Sequence, residues 1–235
     1  MMEMDHTTEI AERYRAVLER VRRAAEAAGR DPHGIVLVAV SKRMGPERIE
    51  AAYRAGARDF GENYVQEALS KVDRLPPDAR WHMIGHLQSN KARRAVETFD
   101  WIHSLDRPSL GDALEKAAAA RNRTVDVLIQ VNVGGEATKS GTDAEGAQAL
   151  LGRAGHWPHL RIRGLMTIPP YRPDPEEVRP YFRALRELRD RLQAGAPPGV
   201  RLEHLSMGMS HDFPVAIEEG ATMVRVGTAI FGERG

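Results

Sequence analysis

The 235-residue chain is 42% hydrophobic and 29% charged, the balance of a soluble globular protein with one large domain or two small ones. A formal net charge of +1 argues against nucleic acid or a membrane surface as the main partner. The lack of cysteine excludes disulfides, thiolate metal sites and thiol catalysis. The start, MMEMDHTTEIAERYR, has no apolar signal-peptide core, and no apolar run approaches the roughly 20 residues of a membrane helix, so a cytoplasmic protein is expected.

Ile10, Tyr14, Val17, Leu18, Val21, Ala25 and Ala28 recur at helical spacing and predict a helix over about 7–29, stopped by Gly29 and Pro32. Short β-type runs then alternate with helical patterns. Strands are expected at 35–41, 58–64, 80–85, 101–106, 125–133, 162–168, 202–207 and 223–231. Between them, Pro46 and Gly56 bound one helix, and Pro108 opens another that runs to Ala120. Thr142 with Glu145 reads as a capping box, and Asp174-Pro175 with Glu177 opens a long charged helix ending near Gly195. Pro180 falls inside that helix, where a proline can kink it, and Gly220 closes the helix after the seventh strand.

Strands alternating with helices imply an α/β fold with a parallel sheet and right-handed crossovers. At this length the closed (β/α)8 TIM barrel leads, as a single domain spanning about 35–232 behind an extra N-terminal helix. An open doubly wound sheet is the alternative. Its G-x-G-x-x-G fingerprint is missing after the first strand, where the sequence reads SKRMGPER.

Barrel enzymes place their sites at the C-terminal ends of the strands, and the unusual residues gather there. Lys42 ends the first strand, Glu62 and Asn63 of GENY the second, and GHLQSNK the third. VGGEATKSG follows the fifth strand, SMGMSHD the seventh, and Gly227-Thr228 lies in the eighth. SMGMS before the DFPVAIEEG helix, with RVGT on the next strand, supplies the glycines and hydroxyls of a phosphate nest. Arg225 shares a strand face with Met223 and Gly227 and should point into the barrel mouth, because a guanidinium does not belong in an apolar helix layer. Gly227 leaves room there for something flat; a structural ion pair is the other role open to Arg225. In a closed barrel the first and eighth strands adjoin, so lysine, nest and arginine converge. A phosphorylated aromatic aldehyde such as pyridoxal 5′-phosphate meets all three: its aldehyde needs a lysine, its ring nitrogen a charged partner, and its phosphate an anion nest.

The motifs VAVSK, FGENYVQE, WHMIGHLQSNK, HSLDR, LIQVN, GLMTIP and LSMGMSHDFPVAIEEGATMVRVGTAIFG, from about Val38 to Gly232, resemble the pyridoxal-phosphate homeostasis proteins (the YggS/PROSC family). The resemblance implies an alanine-racemase-like barrel with the cofactor carried as a Schiff base on Lys42. It implies that Arg225 contacts the pyridine nitrogen and that Ser210, Gly227 and Thr228 hold the phosphate, with Ser206 and Met209 assisting and Asn63 beside the ring. It further implies a cofactor carrier that maintains cofactor and amino-acid pools, without an established reaction; a monomer is expected, whose open mouth lets the cofactor pass to cofactor-dependent apo-enzymes. One stretch departs from the family pattern: Arg43-Met44-Gly45 follows the lysine where a threonine and a nearby proline are more usual.

Three rival readings draw on the same residues. His82, His86, His204, His211, Asp212 and Glu203 are metal-ligand types at rim positions, although no metal is expected. NKARR at 90–94 could face nucleic acid, but three cations at a helix start more often form a solvated face. A cofactor-dependent amino-acid racemase would share the whole site. Two-sided proton transfer needs a second acid or base, which related racemases take from an added C-terminal domain and a partner subunit. The sequence ends three residues after Gly232, so that domain and its tyrosine are expected to be missing.

Overall fold

Runs rich in valine, isoleucine and methionine, cut by glycine and proline, make short strands here, while amphipathic runs opened by proline or aspartate make the helices between them. The computed structural model describes residues 2–136 and 140–232, with side chains from Thr7 onward. Helix α1 (Met2–Ala27) leads into β1 (Val36–Val40), α2 (Pro46–Arg54), β2 (Asp59–Glu62), α3 (Val65–Leu69), β3 (Arg80–Met83), α4 (Ala92–Thr98) and β4 (Trp101–Leu105). Then come α5 (Pro108–Ala119), β5 (Val125–Gln130), α6 (Ala144–Gly152), β6 (Leu160–Met166), α7 (Arg179–Ala194) and β7 (His204–Ser206). Helix α8 (Phe213–Glu218), β8 (Met223–Val226) and α9 (Thr228–Phe231) follow. Each strand pairs in parallel with the next, and β8 returns to β1 with Val38 opposite Arg225, so the sheet closes into the expected barrel.

Alternation along the strands divides the residues between two environments. Leu37, Ala39 and Phe60 face the helix layer and join the main core. Val36, Trp101, Leu128, Met166 and Met223 face inward and form a separate apolar plug inside the barrel. Helix α1 buries Ile10, Tyr14, Val17, Val21 and Ala25 and packs on α2, α8 and α9. It therefore covers the outside of the seam between β8 and β1. Leu18, counted in its apolar stripe from the sequence, is instead 40% exposed.

Several boundaries differ from the sequence reading, each for a local reason. The eighth strand stops at Val226, because the amides of Ile230 and Phe231 both fold back onto the Gly227 carbonyl and start α9. The cap of α6 is Asp143, whose carboxylate accepts the Gly146 N–H at 2.8 Å, so Thr142 lies outside the helix. Pro180 makes no kink. Asp174 caps a 3-10 turn over Pro175–Val178, and α7 begins at Arg179, which puts Pro180 in a first turn where no N–H is needed.

Helix α5 supplies a test of this packing. A Cβ at Gly111 would overlap the ring of Trp157, which is 1% exposed and donates its indole N–H to Asp112 at 2.8 Å. Helix propensity favours alanine over glycine by about 1 kcal/mol, whereas overpacking costs roughly 1–3 kcal/mol. Gly111→Ala should therefore lower the denaturant midpoint, and a raised midpoint would mean that Trp157 yields.

Candidate functional site

The alternation that turns Val38 and Val40 toward the barrel axis, carried two residues further, turns Lys42 there as well. At that end of the barrel lies a cavity of about 620 Å³, within the range of small-molecule sites. It is lined by Lys42 from the turn after β1, Asn63 after β2, Met209 and Ser210 after β7, and Arg225, Gly227 and Thr228 at the end of the chain. The structure thus brings together every sequence-predicted site residue but Ser206. Ser206 is fully buried behind Arg225, away from the cavity wall, so it is placed to hold the arginine rather than a phosphate.

One end of the cavity is built to meet an oxygen. The Ser210 hydroxyl accepts the backbone N–H of Gly227 at 3.2 Å and of Ala229 at 3.3 Å, and its own proton is left for another acceptor. The turn that carries Ser210 is pressed against α8. Gly208 has φ +93°, and a Cβ there would stand 2.6 Å from the Ala216 Cβ, so only glycine fits. Its carbonyl accepts the Arg225 N–H at 2.9 Å, and Asp212 accepts the Met209 N–H at 2.7 Å. Burial raises the pKa of the Asp212 carboxyl.

Arg225 is 3% exposed and donates to the Ser206 hydroxyl at 2.6 Å and to the Thr167 carbonyl at 2.8 Å. No carboxylate pairs with it among the described residues, so the structural ion pair is not formed. Burial pulls the guanidinium pKa down to about 10, which keeps it charged at neutral pH. Two of its five N–H donors are taken by these protein acceptors, and the side chain also lines the cavity.

Behind Arg225 a single file of hydrogen bonds crosses the barrel. Ser206 Oγ lies 2.9 Å from His103 Nδ1, His103 Nε2 lies 3.0 Å from His82 Nδ1, and His82 Nε2 lies 2.9 Å from Asp59 Oδ1. The two ends decide every proton. Arginine only donates and a carboxylate only accepts, so Ser206 donates to His103, His103 to His82, and His82 to Asp59. Asp59 completes the file by a paired contact with Arg80 at 2.8 and 2.6 Å. Burial raises the Asp59 pKa, but His82 and Arg80 outweigh it and hold the carboxyl below its ordinary value. Burial also drives His103 well below the usual imidazole range, which keeps it neutral as the file requires.

Sequence reasoning missed part of the wall. Gln130, His86, Ile168 and Tyr171 also line the cavity. Gln130 is 5% exposed; its Nε2 donates to the Ser140 carbonyl at 3.3 Å, and its Oε1 is buried without a partner among the described residues. In the sequence Gln130 lies inside the strand expected at 125–133, and only the structure ends that strand at Gln130. Of VGGEATKSG, residues 137–139 lie outside the described residues. The metal-ligand types are dispersed. His82 belongs to the file, and His204 bonds Thr222 at 3.2 Å and meets Trp101 edge-on. Among the described residues no group of three or more such side chains could hold a metal ion. Of NKARR, Arg93 and Arg94 pair with Glu97 at 3.5 and 3.1 Å, as a solvated face would.

The neutral file makes stability depend on pH. His103 has a folded pKa far below its unfolded value of about 6.5, so under acid conditions the unfolded chain takes up a proton that the folded chain refuses. Its contribution is complete above that value and is lost as pH falls, by up to about 1.4 kcal/mol per pH unit. His204, also lowered by burial, adds to the slope. His103→Gln should flatten, without abolishing, the loss of unfolding free energy between pH 7 and 5; an unchanged slope would place that titration elsewhere.

Residues 13–235 match the family model of the alanine racemase N-terminal domain. The pyridoxal phosphate homeostasis protein of Aquifex aeolicus is 52% identical over 224 residues, covering 95% of this chain and 97% of its own. The protein of that name from Escherichia coli K12 is 40% identical, covering 96% and 97%. Among solved structures, PipY of Synechococcus elongatus with pyridoxal phosphate bound superimposes with a TM-score of 0.80 at 42% identity, covering 91% of this chain and all of that one. Alanine racemase from Streptomyces coelicolor, at 23% identity, shares the fold with a TM-score of 0.69, this chain spanning 59% of its length. The matched family model and the relatives of 40–52% identity over nearly the whole chain agree: the chain belongs to the pyridoxal phosphate homeostasis protein family.

Proposed function

We propose that this protein binds pyridoxal 5′-phosphate, holds it on Lys42 as a Schiff base, and acts as a carrier that keeps the cofactor pool balanced. The observation that carries this reading is the convergence on one cavity of an amine, a charged guanidinium without a carboxylate, and a hydroxyl backed by two N–H groups. Each answers a different end of the same molecule, and the Gln130 oxygen is a buried polar group without a hydrogen-bond partner among the described residues. The cofactor bound in the PipY relative supports the same assignment.

In this reading Ser210, Gly227 and Thr228 address the phosphate, with Met209 beside them, and Asn63 lies next to the ring. Arg225 faces the ring nitrogen and keeps protons off it, since two positive charges in a dry pocket repel. Ser206 acts through Arg225. Bound, the cofactor supplies an aldehyde reactive toward amines and a ring able to withdraw electrons. An unprotonated ring withdraws them less, which favours holding over turning over. Cofactor-free enzymes of the cytoplasm are the natural recipients, and a monomer leaves the cavity mouth open to them.

The test is chemical. Protein loaded with the cofactor should absorb in the visible, and borohydride should fix the label to the peptide that contains Lys42. Lys42→Ala should lose both the absorbance and the label. A label on another residue, or an unchanged spectrum in Lys42→Ala, would overturn the reading.

A further inference from the structure

The turn that presents Lys42 is held from behind. The alternation that sends Lys42 toward the cavity sends Ser41 to the opposite side, into the helix layer. There Ser41 is fully buried and its hydroxyl donates to Glu62 Oε1 at 2.6 Å. Lys71, 4% exposed, spends its ammonium protons on the Ser41 carbonyl at 2.8 Å, Glu62 Oε1 at 2.7 Å and Glu67 Oε1 at 2.7 Å. Glu67 also accepts the backbone N–H of Arg43. Both chain neighbours of Lys42 are therefore tied, by main-chain atoms, to one buried ionic cluster.

The backbone needs such a hold. Arg43 has φ +62°, a left-handed conformation that side chains other than glycine adopt at a cost and keep only when their surroundings impose it. The Met44 N–H closes the same turn on the Ser41 carbonyl at 3.0 Å. Stability is a poor reason for the cluster, because buried ion pairs often do no better than apolar packing. Glu62 bears this out: burial raises its carboxyl pKa, and its Oε2 is buried with no partner among the described residues. What the cluster supplies is a fixed direction for the residue between Ser41 and Arg43.

We propose that Lys71, together with Glu62 and Glu67, forms a positioning cluster that fixes the turn bearing Lys42 and so aims its amine at a carbonyl ligand. In that coupling the lysine nitrogen forms a C=N bond and the carbonyl oxygen leaves as water. The proposal rests on the Lys42 reading above, but the cluster has a consequence that needs no ligand. In cofactor-free protein the Arg43 amide should be protected from solvent exchange, and Lys71 should be the reason.

Two measurements on Lys71→Met, Lys71→Arg and Glu67→Gln test this. Amide hydrogen exchange at Arg43 is followed in cofactor-free protein against amides of α5, and the rate of pyridoxal phosphate coupling is followed by absorbance. Lys71→Met should speed Arg43 exchange and slow coupling by tenfold or more, with partial recovery in Lys71→Arg. If Lys71→Met does not fold, Glu67→Gln carries the test, since it removes one leg while leaving Lys71 paired with Glu62; it should change both rates at least threefold. Rates within twofold of wild type in a folded variant overturn the cluster. Borohydride mapping of the wild type separates the two claims. A label away from Lys42 sinks the Lys42 reading whatever the exchange rates, and unchanged exchange with the label on Lys42 sinks the cluster alone.

Discussion

Arg225 carries a positive charge into the seam where β8 closes on β1, and among the described residues no carboxylate pairs with it. Burying a charge is tolerable only when hydrogen bonds replace the lost water. Here the replacement is a directional file of Ser206, His103, His82 and Asp59, which come from β7, β4, β3 and β2. Reversing any one proton would set two donors or two acceptors face to face. The file therefore needs those strands on one closed surface with these side chains inward, a demand that an open sheet would not meet.

The same strand alternation separates two tasks around Lys42. Inside the barrel, the arginine and its file set the electrostatics of the cavity floor. Outside, Ser41, Glu62, Lys71 and Glu67 anchor the backbone that presents the lysine. One face of β1 and its following turn looks toward chemistry and the other toward support. The apolar plug of Leu128, Met166 and Met223 fills the barrel interior beside the polar file, which limits how many buried polar groups need partners.

Much of this was legible in the sequence. Period-two runs with polar residues at their ends gave the barrel and placed Lys42, Asn63, Ser210, Arg225 and Gly227 on one rim. What escaped reading depended on contacts between distant segments. His82 and His103 bond across neighbouring strands, a relation that leaves no fixed spacing in the chain, so His82 was open to a metal reading. Ser206 lies in the same strand–turn as Ser210, and only the orientation of its side chain shows that it serves the arginine. Lys71 lies in a stretch where the sequence marks no site, and its burial follows from contacts with Ser41, Glu62 and Glu67 that only the fold assembles. The end of β8 was misjudged because Thr228–Phe231 has strand-like composition, while the carbonyl of Gly227 captures the next two free amides.

The proposed function, holding and donating the cofactor rather than turning over amino acids, is open to direct test. The most direct measurement gives loaded protein first to a cofactor-free acceptor enzyme and then, separately, to a panel of amino acids. Reactivation of the acceptor, with no amino acid consumed or inverted at a comparable rate, is the predicted result. Rapid turnover of any amino acid together with failure to reactivate the acceptor would contradict the account and make the protein an enzyme.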